Sequence, residues 1–92
     1  SRQADMAREL DARLRAAHAQ ALRLADVVAL YETRLSRLAG VSAEAALASY
    51  RAGEGSLAEV IAMQRRVLEL REREARTRAD RAIAHAEIEY LA

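Results

Sequence analysis

Apolar residues recur at every third or fourth position along the first half of the chain. They form two interleaved sets, each repeating every seven residues: Ala7, Leu14, Ala21, Val28, Leu35, Ser42 and Ser49, and Leu10, Ala17, Leu24, Tyr31, Leu38, Ala45 and Ala52. Alternating spacings of three and four are typical of a left-handed coiled coil. The pattern predicts one long helix, about residues 3–52, with a single apolar seam.

Gly40 lies inside this predicted helix. A glycine there costs roughly 1 kcal/mol relative to alanine, but the seam keeps its phase on both sides of it. We expect one helix that bends at Gly40, with a true break as the alternative.

The second half begins with a wide apolar face and continues into a charged stretch. The face comprises Leu57, Val60, Ile61, Met63, Val67, Leu68 and Leu70, and the charged stretch reads LREREARTRADR. Acids in that stretch precede arginines by four residues, a spacing that supports helices. The seam is expected to narrow there to Ala75, Ala79, Ala82 and Ala86. A second helix is predicted over about 57–91.

The stretch YRAGEGSL, residues 50–57, separates the two helices. Gly53 can adopt the left-handed backbone conformation that ends many helices. Ser56 is a good N-cap, and Glu59 three residues later completes a capping box. Because so short a turn joins antiparallel neighbours, the predicted fold class is all-α, an antiparallel helical hairpin (coiled coil) with its turn at 53–56. Residues 1–92 form this one hairpin, with no separate domains.

The two predicted arms are unequal in length. At about 1.5 Å per residue they measure roughly 75 and 50 Å. The first fifteen or so residues then have no partner in the chain, although Leu10 and Leu14 continue the seam into them, so we expect something outside this chain to cover them. Because one seam buries little area, the isolated chain is expected to self-associate or to be marginally folded.

Composition narrows the possible functions. Arginine supplies all 15 basic residues, but 14 acidic residues bring the formal charge to +1, so nucleic-acid binding is not expected. The chain has no cysteine for disulfides, and no run of about 18 apolar residues that could span a membrane. It opens SRQADM, without an initiator Met, and we expect it to be a fragment of a longer protein.

No catalytic or cofactor site is predicted. The sequence has neither a Gly-rich phosphate loop nor a Ser/His/Asp grouping. His85 and Glu89 have the spacing of a weak zinc pair, but solvated side chains are the simpler interpretation for them and for His18. Met6 and Met63 are interpreted as seam filler. We therefore expect no enzyme, no metal and no cofactor.

The turn carries more side-chain chemistry than a connector needs. Charged and aromatic side chains surround two glycines at the end of a long rod, where a partner can make contact. The candidate site comprises Tyr50, Arg51, Gly53, Glu54, Gly55, Ser56 and Leu57. The alternative is that these residues only form a good turn.

Residues 45–91 resemble the closing segment of TolC-like outer-membrane efflux channels. That family has a Tyr-x-x-Gly followed by a small residue, a leucine and an apolar patch that ends near Gln-Arg, and it closes on a Leu-Tyr-Leu-like end. The matching residues are Tyr50, Gly53, Ser56, Leu57, Val60, Ile61, Gln64 and Leu91. The run RAGEGSL is similar to the heavy-metal (CzcC/CusC-like) branch. Over residues 1–44 the resemblance is mostly one of periodicity.

The resemblance implies a location, partners and a function. Members of the family are trimers whose long periplasmic barrel is built from helical hairpins, and the hairpin tips form the periplasmic mouth. This chain would be the second hairpin of a protomer, in the periplasm of a Gram-negative bacterium. It would pack against neighbouring hairpins of the same homotrimeric channel and dock a periplasmic adaptor (membrane fusion) protein through its tip. Tyr50 is the candidate gate residue.

Two features depart from the family pattern. A proline is frequent there near the position of Arg37, and here Gly40 is the nearest source of a bend. Some members carry an arginine two residues after the turn glycine, where this chain has Gly55, so an arginine-based gate is not implied.

Two other interpretations stay open: a generic coiled-coil interaction module and the hairpin of a periplasmic adaptor. Adaptors carry Arg, Leu and Ser seven residues apart near their tip. The nearest match here is Arg15, Leu22 and Ala29, which lacks the serine and lies far from the turn.

Overall fold

Two antiparallel helical arms joined by a short turn make up the structure, a computed structural model that describes residues 1–92. The first arm runs without interruption through α1 (Arg2–Leu30), a π-helical segment (Tyr31–Leu35) and α2 (Ser36–Arg51). The second arm is α3 (Leu57–Leu91), and no strand is present. The predicted all-α hairpin is confirmed, with both helices ending within one residue of their expected bounds.

The first arm extends beyond the end of the second, as predicted. The molecule is a rod 75 Å long and 17 by 15 Å across. Residues 1–13 are exposed throughout, and burial of the first arm begins at Leu14 and Ala17. Met6 and Leu10 are therefore apolar side chains that nothing in this chain covers.

The first arm departs from α-helical geometry at Tyr31–Leu35 rather than at Gly40. The Ser36 amide donates to the Tyr31 carbonyl five residues back, which is the hydrogen-bond pattern of a π-helix. Gly40 lies inside an unbroken α2, so the alternative prediction of a helix break at Gly40 is wrong. The departure from regular α-helix that was expected at Gly40 therefore lies one to two helical turns earlier in the chain.

The π-helical segment moves the apolar seam of the first arm by one residue. Up to Tyr31 the predicted seam is confirmed by the buried residues Ala17, Ala21 and Val28. Beyond it, each buried residue follows a predicted seam position by one: Ala39, Ala43 and Ala46 are buried, whereas Leu38, Ser42 and Ala45 are exposed. The single continuous seam is therefore wrong for the second half of the arm, because the π-helical segment holds one more residue than the heptad pattern assumes.

Along α3 the residues that face the first arm keep one heptad phase. In this phase four residues are buried and six are half-buried: Val60, Val67, Leu70 and Ala84, and Met63, Glu74, Thr77, Arg81, Ile88 and Leu91. Half-buried Arg78 lies beside this phase. The predicted narrowing of this seam to Ala75, Ala79, Ala82 and Ala86 is wrong, since all four alanines are exposed. Counting in sevens from Val60 leads to Glu74. Ala75 therefore lies about 100° around the helix from the face that contacts the first arm. We call the facing residues of both arms the inner seam.

A polar cluster lies at the middle of the inner seam, beside the π-helical segment. The Ser36 hydroxyl donates to the Glu74 carboxylate across the two arms at 3.2 Å. Arg78 pairs with Glu74 at 3.2 Å on its own helix and with Glu32 on the first arm. The hydrogen bond to Glu32 raises the pKa of Arg78, and the charges of both carboxylates act in the same direction, against desolvation. The guanidinium therefore stays charged and joins the two arms.

Candidate interaction site at the hairpin tip

A Schellman-type cap ends α2 and closes the tip. Gly53 takes the left-handed conformation, with the only positive φ in the chain, 80°. Its amide donates to the Tyr50 carbonyl at 3.0 Å, and the Glu54 amide donates to the Ser49 carbonyl at 2.9 Å. These bonds satisfy carbonyls that a helix end leaves free. The conformational role predicted for Gly53 is confirmed.

Gly55 is required for a different reason, close approach. Its amide also donates to the Ser49 carbonyl, at 3.2 Å. A Cβ on Gly55 would lie 3.2 Å from both Ser49 Cβ and Tyr50 N, so the turn passes directly over the end of α2. From the sequence, Gly55 was predicted only to contact a partner. Its packing role and the role of Ser49 were not predicted, because no pattern in the sequence indicates them.

Ser56 is the N-cap of α3, as predicted. Its backbone is extended (φ −114°, ψ 151°), and its Oγ accepts a hydrogen bond from the Glu59 amide at 3.1 Å. Only this half of the predicted capping box forms, because the Glu59 carboxylate makes no hydrogen bond. The cap sets the direction of α3 and leaves Leu57, its first residue, 53% exposed.

The structure brings all seven predicted site residues together at one end of the rod. Arg51, Glu54 and Leu57 are exposed, and Tyr50 is 42% exposed. The side chains of Tyr50, Arg51 and Glu54 form no hydrogen bond or ion pair within the chain. The tip therefore presents charges of both signs, an apolar side chain and a phenol hydroxyl, all free to contact a partner.

Both arms also expose apolar residues beside the inner seam. The outer stripe of α2, which starts at the end of the π-helical segment, precedes the seam by one position: Leu35, Leu38, Ser42 and Ala45. The outer stripe of α3 consists of the residues that directly follow Val60, Val67, Glu74 and Arg81: Ile61, Leu68, Ala75 and Ala82. Leu38 and Leu68 are 63% and 62% exposed. Because the arms are antiparallel, offsets of opposite sign place the two stripes on opposite flanks of the hairpin.

The remaining candidate chemistry stays dispersed. His18, His85 and Glu89 are all exposed, and no three potential metal ligands come together. None of the helices combines the length and the apolar content that crossing a lipid bilayer requires.

Comparison with known proteins returns no match: no family model, no curated protein and no solved structure matches this chain. The tip and the outer stripes are therefore interpreted from their own geometry and chemistry.

Proposed function

We propose that the chain is the periplasmic tip hairpin of an outer-membrane efflux channel in a tripartite export system. In this proposal the tip forms part of the channel mouth and docks the periplasmic adaptor protein. The similarity of residues 45–91 to TolC-like channels suggests the family. The observation that carries the proposal is the pair of outer stripes on opposite flanks of a 75 Å rod.

Apolar stripes on opposite flanks favour side-by-side packing of hairpins. Such a hairpin can contact one neighbour through α2 and another through α3, and repeated contacts of this heterologous kind form a ring when the rotation between neighbours closes. The small residues of both stripes, such as Ser42 and Ala75, let neighbouring backbones approach closely. Neighbouring hairpins of a homotrimeric channel supply the apolar surface that this chain lacks.

The tip favours docking because its free side chains project from the end of the rod. Leu57 offers an apolar anchor, and Arg51 and Glu54 offer charges that no group in the chain satisfies. Tyr50 directly precedes Arg51 in the last turn of α2, where its hydroxyl can hydrogen-bond to a neighbouring hairpin. That position makes Tyr50 the candidate gate residue of the closed mouth.

The docking role is tested in the full-length channel with Leu57→Asp and Arg51→Glu. Both residues are exposed and unpaired, so the turn still forms, whereas bulky residues at Gly53 or Gly55 would disturb the turn itself. We expect at least a tenfold loss of export, together with loss of cross-linking between Glu54→Cys and the adaptor, while trimers still form. The matched control is Glu89→Arg at the far end of α3. Unchanged export and cross-linking in both tip variants would refute docking.

The gate role predicts a different phenotype for Tyr50→Phe. This change removes only the hydroxyl and keeps the aromatic ring. We expect a weaker closed state and increased leak of large solutes through the full-length channel, with adaptor binding intact. Tyr90→Phe, at an 86% exposed position near the other end of α3, is the control. If both variants leak no more than the parent channel, Tyr50 does not gate it.

A generic coiled-coil module is the second candidate, since the outer stripes alone can bind partner helices. The two functions separate in one comparison of the same full-length protein. Partner binding that survives Leu57→Asp but is lost with Leu68→Glu favours the module. The adaptor-like residues Arg15, Leu22 and Ala29 lie on α1, away from the tip, and nothing in the structure favours an adaptor hairpin.

A further inference from the structure

The tip-side half of the first arm carries two apolar seams on one helix. The structure uses Ser36, Ala39, Ala43 and Ala46 as the inner seam. The outer stripe, Leu35, Leu38, Ser42 and Ala45, is the seam that an uninterrupted α-helix would present in phase with α1. The π-helical segment between the two halves therefore decides which seam of α2 faces α3.

The π-helical segment stores one residue that an α-helix would not need. Ser36 donates to Tyr31 across five residues, and the Thr33 hydroxyl donates to the Ala29 carbonyl at 2.7 Å. A π turn is rare, and single π turns inside α-helices are frequent at functional sites. Conversion of this turn to α-helix would restore the regular ladder and rotate α2 by about 100° relative to α1.

Opposing contacts favour each of the two arrangements. In the observed one, Ala39 and Ala43 pack in one cluster with Val67 and Leu70, so the backbones come close. The Ser36–Glu74 hydrogen bond and the Arg78–Glu32 pair hold this arrangement. In the other arrangement those polar contacts are lost, but the leucines of the outer stripe become buried. Packed helices that can interlock in two ways are discrete switches rather than continuously deformable joints.

We propose that the π-helical segment Tyr31–Leu35 is a register switch with two states. When the π turn is present, α2 faces α3 through its alanine seam. When the turn is converted to α-helix, α2 faces α3 through the seam that contains Leu35 and Leu38. The occupant of the alternative seam is α3 of the same chain. The switch follows from this hairpin alone and does not depend on the proposed export function. Switching changes which apolar stripe the tip-side half of the rod offers to a neighbour.

Disulfide trapping in the 92-residue chain tests the switch, since the chain contains no other cysteine. Ala43→Cys with Val67→Cys reports the observed register, and Ser42→Cys with Val67→Cys reports the alternative one. Glu44→Cys with Val67→Cys is the matched control, because residues 42 and 44 lie at equal angles on either side of Ala43. Intramolecular bonds are scored on the monomer by mass spectrometry.

We expect the Ser42 pair to cross-link at least fivefold faster than the Glu44 pair. We also expect deletion of Thr33 to abolish this preference, because the shortened arm presents the alanine seam as a regular α-helix. Equal rates for the Ser42 and Glu44 pairs would overturn the switch, whether or not the Ala43 pair forms. A Ser42 preference that survives the deletion would overturn it as well.

Discussion

Gly53 and Gly55 lie two residues apart in the turn, yet the structure requires glycine at each for a separate physical reason. At Gly53 the backbone is left-handed, with open space where a Cβ would lie. At Gly55 the backbone is ordinary, but a Cβ would meet Ser49 and the Tyr50 amide at 3.2 Å. Gly40 has neither constraint, since it is helical and nothing approaches it within 4 Å.

Three alanine substitutions separate these roles. Gly53→Ala is expected to lower the free energy of unfolding by about 1–2 kcal/mol, the cost of left-handed backbone for an L-residue. Gly55→Ala is expected to lower it by roughly 1 kcal/mol through the forced shift of the turn. Gly40→Ala is expected to raise it by roughly 0.5–1 kcal/mol, because alanine is the better helix former. Urea unfolding followed by circular dichroism measures all three.

Gly53→Asn serves as the control, because asparagine tolerates left-handed dihedrals better than alanine does. It is expected to destabilise the hairpin less than Gly53→Ala. Equal losses for the two would show that the left-handed φ of Gly53 does not set the requirement. A loss of stability in Gly40→Ala would contradict the assignment of that position as unconstrained.

Local chemistry made part of the tip predictable from the sequence. Gly53 as the helix terminator and Ser56 as the N-cap follow from residue type and spacing alone, because each acts on backbone groups within a few residues. The packing role of Gly55 and the double acceptance by Ser49 depend on the path of the turn over α2. No local pattern encodes that path.

At the scale of elements, the helices were predictable but the phase of their contact was only partly so. The heptad pattern gives the correct seam up to Tyr31, where only one apolar row is available. Beyond the π-helical segment, the alanine row and the row containing Leu38 both repeat every seven residues. Which of the two rows faces α3 depends on the side chains that α3 places opposite them. Alanines opposite Val67 and Leu70 allow close packing, so the structure uses the alanine row rather than the one containing Leu38.

In the second arm, too, the sequence pattern did not identify which row of residues is buried. The alanine row that includes Ala75 and Ala82 looks like a close-packing seam in the sequence, but it lies beside the inner seam and is exposed. The inner seam instead passes through Glu74 and Arg81. Charged residues at half-buried seam positions are tolerated because long stems can pack while their charged ends reach polar partners or water.

The ion cluster at the π-helical segment is expected to stabilise the pairing of the arms. Arg78→Met keeps a packing stem but removes the charge that joins Glu32 to Glu74, so we expect a lower thermal midpoint. The control is Arg76→Met, because Arg76 pairs only with Glu72 on its own helix, in an exposed position, and should change the midpoint little. A double-mutant cycle of Arg78→Met with Glu32→Gln should show coupling that weakens in 1 M salt.

The pH dependence of that effect has a definite sign. Contacts with Glu32 and Glu74 raise the pKa of Arg78 above its ordinary value. A cation with a raised pKa contributes its stabilisation at every pH below the unfolded-state value and loses it only as the pH rises through the folded-state value. The difference between the parent chain and Arg78→Met should therefore persist from neutral pH into strongly alkaline solution. Its disappearance between pH 7 and 10 would exclude Arg78 as the source.

At the scale of the whole molecule, the hairpin buries little apolar surface for its length. Only ten of its 92 residues are buried, and six of these are alanines. None of the larger side chains is fully buried, while Met6, Leu38, Leu68 and Ile83 are each more than 60% exposed. Long helices depend on tertiary packing for most of their stability, so we expect contacts with other chains to add to it.

We therefore expect the isolated chain to self-associate through its outer stripes, with a thermal midpoint that falls on dilution because association stabilises the folded form by mass action. Leu38→Glu and Leu68→Glu should each weaken association at least tenfold, a change of about 1.4 kcal/mol. Neither should change the monomer's own stability by more than about 0.5 kcal/mol, since both side chains are exposed there.

Leu22→Glu, at a 69% exposed position on α1 outside both stripes, is the matched control. Sedimentation equilibrium and melting curves over a hundredfold range of concentration measure both quantities. A sharp transition of a monomer, independent of concentration, would show instead that the inner seam alone is sufficient to fold the hairpin.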